Sequence, residues 1–310
     1  MGFWLSCSNR VESLQQQLCA RLQESPLRDP FHAEFILVPG NAMRRWLGLQ
    51  IAMEHGVAAN IEFPLPAAWI WQVAARAHSL DPTVAPSEDP LSREQAAWHI
   101  FAALPALLPT AGFEELSRYL RDDTSEVKRW QLAQRIADVF DRYQYYRPDW
   151  IRAWSRPGSP VMPPGAPYPV WQPVLWRVLV ARCGGAHRVA LLDQLLQVLE
   201  TAQPQVIAAL QLPARLSCFA LSSLPALFVQ VFKALAAHID IHFYQHSPTD
   251  QYWADLRSKK ALARQRLAAP QTAALLETGN ELLASWGRQG QAFQDQLLDH
   301  DLLDAVTWED

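Results

Sequence analysis

Paired cysteines, a basic excess and long apolar runs are all missing from this chain. Its four cysteines among 310 residues, Cys7, Cys19, Cys183 and Cys218, lie far apart and show no C-x-x-C spacing. That excludes a cysteine-clamped metal framework and reads as reduced, buried thiols of a cytoplasmic protein. No run of about 18 apolar residues occurs, which excludes a membrane-spanning helix. The first residues lack the basic stretch and long apolar core of a secretory signal. Met1-Gly2-Phe3-Trp4-Leu5-Ser6 formally fits an acylation pattern, but Phe3-Trp4-Leu5 reads better as a buried strand. Twenty-seven Lys and Arg stand against thirty-one Asp and Glu, a net charge of −4. A freestanding nucleic-acid binder usually carries the opposite balance. Any DNA contact must therefore be local, shape-driven or shared with a partner that supplies the charge.

Catalytic motifs are missing as well. Phe35-Ile36-Leu37-Val38, a turn at Pro39-Gly40 and a helix from Asn41 to about His55 have the strand–loop–helix layout of a P-loop. A working P-loop needs glycines whose N–H groups reach phosphate, a Lys on the β/γ-phosphates and a Ser or Thr on Mg²⁺. This loop offers Pro39, Gly40, Asn41 and Ala42, and G-K-[ST] occurs nowhere. The second strand, Ser217–Leu221, carries no Asp-Glu at its end for a metal-bound water. The layout of a nucleotide hydrolase is present without its chemistry. Asp122, Asp123, Glu126 and Lys128 superficially match the acidic set of a metal nuclease. Such carboxylates must converge from separate strands, whereas these sit together where acids suit a helix N-terminus. His238, His242 and His246 are four apart, but HIDIHFYQH alternates as a strand does, so His242, Tyr244 and His246 share one face. With no further ligands, the sequence reads as a histidine row at a sheet edge or in solvent.

What is there is apolar and segmented: half the residues are hydrophobic, enough for a sizeable core and two domains. Phe3–Ser6 reads as a strand, with Ser8 or Asn9 capping a helix to about Gln23. Phe35–Val38 is a continuous apolar strand of parallel-sheet type, and Gly56 stops the helix that follows. Ala58–Pro66 reads as extended, before a short aromatic helix near Ala67–Ala77. Pro82, Pro86 and Pro90 mark a linker, and Ser92 with Gln95 forms a capping box. Helices are then expected near Phe113–Leu120, Glu126–Tyr146, Val174–Ala181 and Leu191–Glu200, with a proline-rich loop over Arg156–Pro169. The strand signal returns at Leu216–Leu221 and Ile239–Tyr244, flanking a helix over Pro225–Ala237, which makes a parallel β-α-β unit. Lys259 to Gly279 reads as a mobile tail before one last helix that ends the chain. The economical architecture is one α/β domain, residues 1–85 and 205–310, interrupted by an all-helical insertion over 86–204.

Aromatics are the positive signal. Thirteen Trp and seven Tyr include Trp69 and Trp71 after FPLP, and a cluster of Tyr143, Tyr145, Tyr146 and Trp150 around Arg147. Rings beside Arg are the usual platform for stacking unpaired bases, although one of two Trp one apart on a helix commonly faces the core.

Several segments together carry a resemblance. CSNR at Cys7–Arg10, ILVPGNAMRRWL at Ile36–Leu47 and GVAANIEFPLPA at Gly56–Ala67 resemble the N-terminal part of the RecC family. So do YRPDW at Tyr146–Trp150, AHIDIHFYQHSP and YWADL within Ala237–Leu256, and LLASWG at Leu282–Gly287. The segments are collinear over nearly the whole chain, and they match only the first third or so of the much longer family members. The resemblance implies a degenerate superfamily-1 helicase-like, P-loop NTPase-like parallel-sheet domain (1A-like) with a helical 1B-like insertion. It implies the gamma subunit of exodeoxyribonuclease V, RecBCD, whose RecB-type and RecD-type partners use ATP and Mg²⁺ as motors and nuclease. No cofactor is expected in this chain, and no enzymatic activity of its own. Its expected ligands are double-stranded DNA ends and single-stranded DNA in the bacterial cytoplasm, with no membrane role. The family splits the duplex, channels the 3′-ended strand and scans it for the Chi sequence. Positions matching the family's Chi-recognition set are Leu65, Trp71, Asp138, Asp141, Arg147 and Arg188. Pro39, Asn41, Arg45 and Val139 occupy further positions of that set with departures from the best-known pattern, from which a different or relaxed Chi sequence would follow. Two other classes stay open: an interaction scaffold without DNA reading, and an active ATP-dependent helicase or nuclease.

Overall fold

The computed structural model describes residues 2–79, 91–156, 167–185, 187–250, 253, 255–268, 271, 279–298 and 303–308. In chain order the elements are β1 (Gly2–Ser8), α1 (Val11–Glu24), β2 (Glu34–Leu37), α2 (Asn41–His55), β3 (Ile61–Glu62) and α3 (Pro66–Ser79). There follow α4 (Arg93–Leu107), α5 (Glu114–Leu120), α6 (Val127–Tyr146), α7 (Pro148–Ser155), α8 (Trp171–Arg182), α9 (Arg188–Thr201) and α10 (Pro204–Ala209). The chain continues through β4 (Arg215–Phe219), α11 (Ala226–Ala236), β5 (Asp240–His246), α12 (Lys259–Ala268), α13 (Glu281–Trp286), α14 (Arg288–Leu298) and β6 (Leu303–Trp308). They group into two compact units: residues Met1–Ile70 with Gln211–Asp310, and Trp71–Leu210.

The first unit is built on one six-stranded sheet of order β3-β2-β4-β5-β1-β6. Every neighbouring pair is parallel. Parallel sheets are covered on both faces, so their inner strands are largely buried. All five residues of β4 are buried. Successive residues of β5 feed opposite faces. Tyr244 joins Leu14 and Leu18 of α1, Leu47 and Ile51 of α2 and Phe219 in one core cluster. Phe243 instead stacks on Phe3 at 5.1 Å and meets Phe232 of α11 and Phe293 of α14. A buried ion pair closes the start of two strands: Arg215 Nε donates to Glu34 Oε2 at 2.9 Å, and another of its nitrogens donates to the Ser25 carbonyl at 2.6 Å. With its donors so occupied, the buried guanidinium keeps its hydrogen bonds despite losing water.

The second unit is all helix among its described residues. Its core gathers Ile100 and Leu104 of α4, Ile136 and Phe140 of α6, Ile151 and Trp154 of α7, and Leu175 and Trp176 of α8. Rings from four segments pack edge to face: Phe140 lies 5.5 Å from Trp176, and Trp154 lies 4.9 Å from Tyr168. Cutting such a ring back to Ala costs about 3–5 kcal/mol. Ser92 accepts from Gln95 N–H at 3.4 Å, so the serine half of the expected cap is in place.

Several local expectations need correction. The chain's last element is strand β6, not a helix, and two helices precede it. Lys259–Ala268 forms α12 rather than a mobile tail, and most of 269–278 lies outside the described residues. Residue 10, not Ser8 or Asn9, is the N-cap of α1, with no side-chain bond; Ser8 Oγ accepts from Arg10 N–H instead. Helix α7, Pro148–Ser155, was not among the expected elements. The linker prolines Pro82, Pro86 and Pro90, and most of the 156–169 loop, lie outside the described residues.

Candidate functional site

The β2–α2 turn stands where a phosphate loop would. Gly40 is extended (φ 174°) as N-cap of α2, with no side chain bonded into the turn, and its carbonyl accepts from Arg44 N–H at 3.1 Å. The helix presents exposed Asn41, Arg44 and Arg45, and it ends at Gly56, whose positive φ of 81° only a residue without Cβ takes without strain. Asn41 and Arg45 share an open groove of about 750 Å³ with Asn60 and Phe63. Leu65, nearly half exposed, precedes α3 and accepts from Trp69 N–H through its carbonyl.

The other sequence-selected residues belong to the second unit. Asp141 and Arg188, 47 positions apart, meet at 2.6 Å. The Arg188 guanidinium also lies 4.8 Å over the Tyr145 ring, and Arg188 N–H donates to Gln144 Oε1 at 3.0 Å at the start of α9. Both charges are mostly shielded from solvent, so this charge-assisted bond is stronger than an open surface pair. Asp138 stands one turn earlier on α6 but turns to another helix. It pairs with Arg93 of α4 at 3.2 Å, and with Arg135 and Arg142 at 4.0 and 3.8 Å. These arginines are largely exposed, and such pairs contribute little stability. Arg147 stacks on Trp150 at 4.0 Å and pairs with Asp149. Val139 and Trp71 are partly buried. Within this unit the structure joins Asp141 to Arg188 and leaves Asp138 and Arg147 with other partners.

Ser155 Oγ lies 3.1 Å from His187 Nε2, yet this is not a nucleophile and its base. His187 Nδ1 accepts from Ala190 N–H as the N-cap of α9, so the ring proton sits on Nε2 and is donated to the serine oxygen. Burial lowers the His187 pKa from 6.5 to about 4, which keeps that neutral form. The histidine row is no sheet edge: β5 is an inner strand, and His242 is buried against Trp4 at 4.6 Å. Among the described residues no three His, Cys, Asp or Glu side chains gather to hold a metal ion. Asp123 accepts from Arg129 N–H at 2.8 Å, bonding the first turn of α6, which is a capping role.

Sequence reading passed over one aromatic site. It singled out Trp69, which is core against Phe232, and Tyr143 and Trp150, which pack on the helical core. Trp98 and Trp130 drew no notice, yet they line an open groove of about 600 Å³ between α4 and α6. The available signal was that Trp98 lies off the Ala97–Ile100–Leu104 stripe buried by α4.

Comparison with known proteins agrees with the order of the motifs. The family model "RecC, N-terminal domain" matches residues 3–309. The chain is 33% identical to the RecBCD enzyme subunit RecC of Escherichia coli K12, over 92% of this chain and 27% of that protein. It is 30% identical to the same subunit of Haemophilus influenzae, over 92% of this chain and 29% of that protein. Against the Mycolicibacterium smegmatis subunit it is 27% identical over 97% of this chain and 26% of that protein. The chain thus spans under a third of the length of these relatives.

Proposed function

Because the chain belongs to the RecC N-terminal domain family, we propose that it is a non-catalytic DNA-binding part of a RecBCD-type helicase–nuclease. In that role it acts in double-strand break repair and recombination, beside RecB-type and RecD-type partners that supply ATP-driven motion and cleavage. The parallel sheet with an empty β2–α2 turn is read as a degenerate superfamily-1 helicase core, and the helical unit as its insertion. The chain helps to split the duplex, lines the path of the 3′-ended strand and reads Chi. The observation that carries this reading is the Asp141–Arg188 pair under the Tyr145 ring. Carboxylate, guanidinium and ring together can accept from a cytosine amine or a guanine edge, grip guanine O6/N7 or phosphate, and stack. An acid in a path for DNA is unfavourable beside phosphate and useful only where bases are read.

The test uses the full-length protein reconstituted with its two partner subunits. Arg188→Ala and Asp138→Ala should abolish or relax the response to Chi while unwinding proceeds nearly unchanged. Losing one base contact costs roughly 1–3 kcal/mol of discrimination, and the motors lie elsewhere. Chi-dependent attenuation that survived both substitutions would return these residues to surface pairs.

A further inference from the structure

The groove between α4 and α6 shares Asp138 with the function above and adds an exposed aromatic surface that it does not use. Trp98 is 61% exposed, an unusual position for an indole that has neighbours to pack on. Behind it lies a second aromatic layer: Trp130 at 4.2 Å between centroids and Phe101 edge-on at 6.2 Å. The far side of Phe101 is covered by the Arg129 guanidinium at 4.1 Å. The exposed ring is therefore held in place before any ligand arrives, which lowers the entropy cost of binding. Around it stand the amides of Gln131 and Gln134, the carboxylates of Glu94 and Asp138, and the cations of Arg93 and Arg135.

We propose that this groove is a base-stacking subsite for single-stranded DNA, with Trp98 as its platform. It rests on the DNA-binding reading above and adds a contact outside the residues chosen from the sequence. One flat face, hydrogen-bonding groups of both kinds at its rim and two exposed cations match the parts of a nucleotide: base face, base edge and phosphate. Glu94 and Asp138 disfavour phosphate within the groove, so phosphate falls to the outer sides of Arg93 and Arg135, which are 66% and 80% exposed and lie 3.2 and 4.0 Å from Asp138. A polypeptide partner would call for a continuous apolar floor, whereas here polar groups ring a single aromatic surface. The volume of about 600 Å³ falls within the ordinary range for small-ligand clefts.

The experiment measures binding of the 310-residue chain to labelled oligothymidylate and to an abasic oligonucleotide of the same length. Trp98→Ala should weaken oligothymidylate binding roughly 5- to 100-fold, the effect of removing one stacking ring, and leave abasic binding unchanged. Trp98→Phe should retain most of the affinity. In the unsubstituted chain, a 5-iodouracil within the oligonucleotide should cross-link to the peptide bearing Trp98. Binding by the parent chain that Trp98→Ala does not alter, an equal loss on the abasic strand, or cross-links only elsewhere each overturn the groove and leave the DNA-binding reading standing. If the parent chain binds neither oligonucleotide, that reading falls and the groove with it.

Discussion

His187 and His242 are two weak bases kept neutral by burial in different units. Burial, with Asp193 opposing it, lowers His187 from 6.5 to about 4. Burial first, then the positive charges of Arg21 and Arg215, lowers His242 to about 4, against the pull of Asp240. Both folded values lie below the unfolded one. The stability they represent is therefore complete above pH 6.5 and is lost as the pH falls from there toward 4. Each ring accounts for about 3 kcal/mol of that loss by pH 4. Urea midpoints measured from pH 7.5 down to 4.5 should fall steeply below 6.5. His242→Phe, which keeps the stack on Trp4, should flatten part of the curve; an unchanged slope would place the proton uptake elsewhere. Residue identity was the least legible level of the sequence. Three-residue spacing puts Asp138 and Asp141 on neighbouring positions of α6, but nothing local shows that one reaches Arg93 and the other Arg188.

Elements were legible where hydrophobic pattern and punctuation agree. The FILV run closed by Pro39-Gly40 and the stop at Gly56 mark β2 and α2 to within a residue. The β4–α11–β5 unit was nearly as plain, its strand ends falling within two residues of Arg215–Phe219 and Asp240–His246, and the two strands pair in parallel. Strand β6 escaped notice because LDAVTW carries an acid and has no strict alternation; pairing with β1, 300 residues away, makes it a strand. The β2–α2 turn also bears on chemistry. Strand β2 turns into helix α2 over residues 38–40, where Pro39 has no N–H, and no lysine or hydroxyl lies at Pro39–Met43. Calorimetry with ATP and Mg²⁺ should give no heat of binding. A Mg²⁺-dependent signal that vanished on replacing residues 39–45 would restore an active nucleotide site.

For the molecule as a whole, charge sets the terms of the DNA binding proposed above. A net charge of −4 gives little general attraction to a polyanion, and several arginines near α6 already face carboxylates. Alone, the chain should bind single strands weakly, with an affinity that falls as salt rises. Each phosphate neutralised adds about −0.7 to the logarithmic slope against salt, and a slope of about −1 to −3 is expected between 50 and 300 mM. Tight binding indifferent to salt would contradict a path shared with other domains and subunits.

The sheet order also dictates when folding can finish. Strand β1 pairs with β5 on one side and β6 on the other, Gly2 opposite Asp240 and Phe3 opposite Leu303. Neither neighbour exists until more than two hundred further residues have left the ribosome. At about 5–20 residues per second that wait lasts on the order of 10–50 seconds. Throughout it, Phe3, Trp4 and Leu5 form a nascent strand with both edges open, the kind of segment that sticks to other chains. Ribosome-bound intermediates shorter than residue 240 should therefore be the ones that chaperones hold longest.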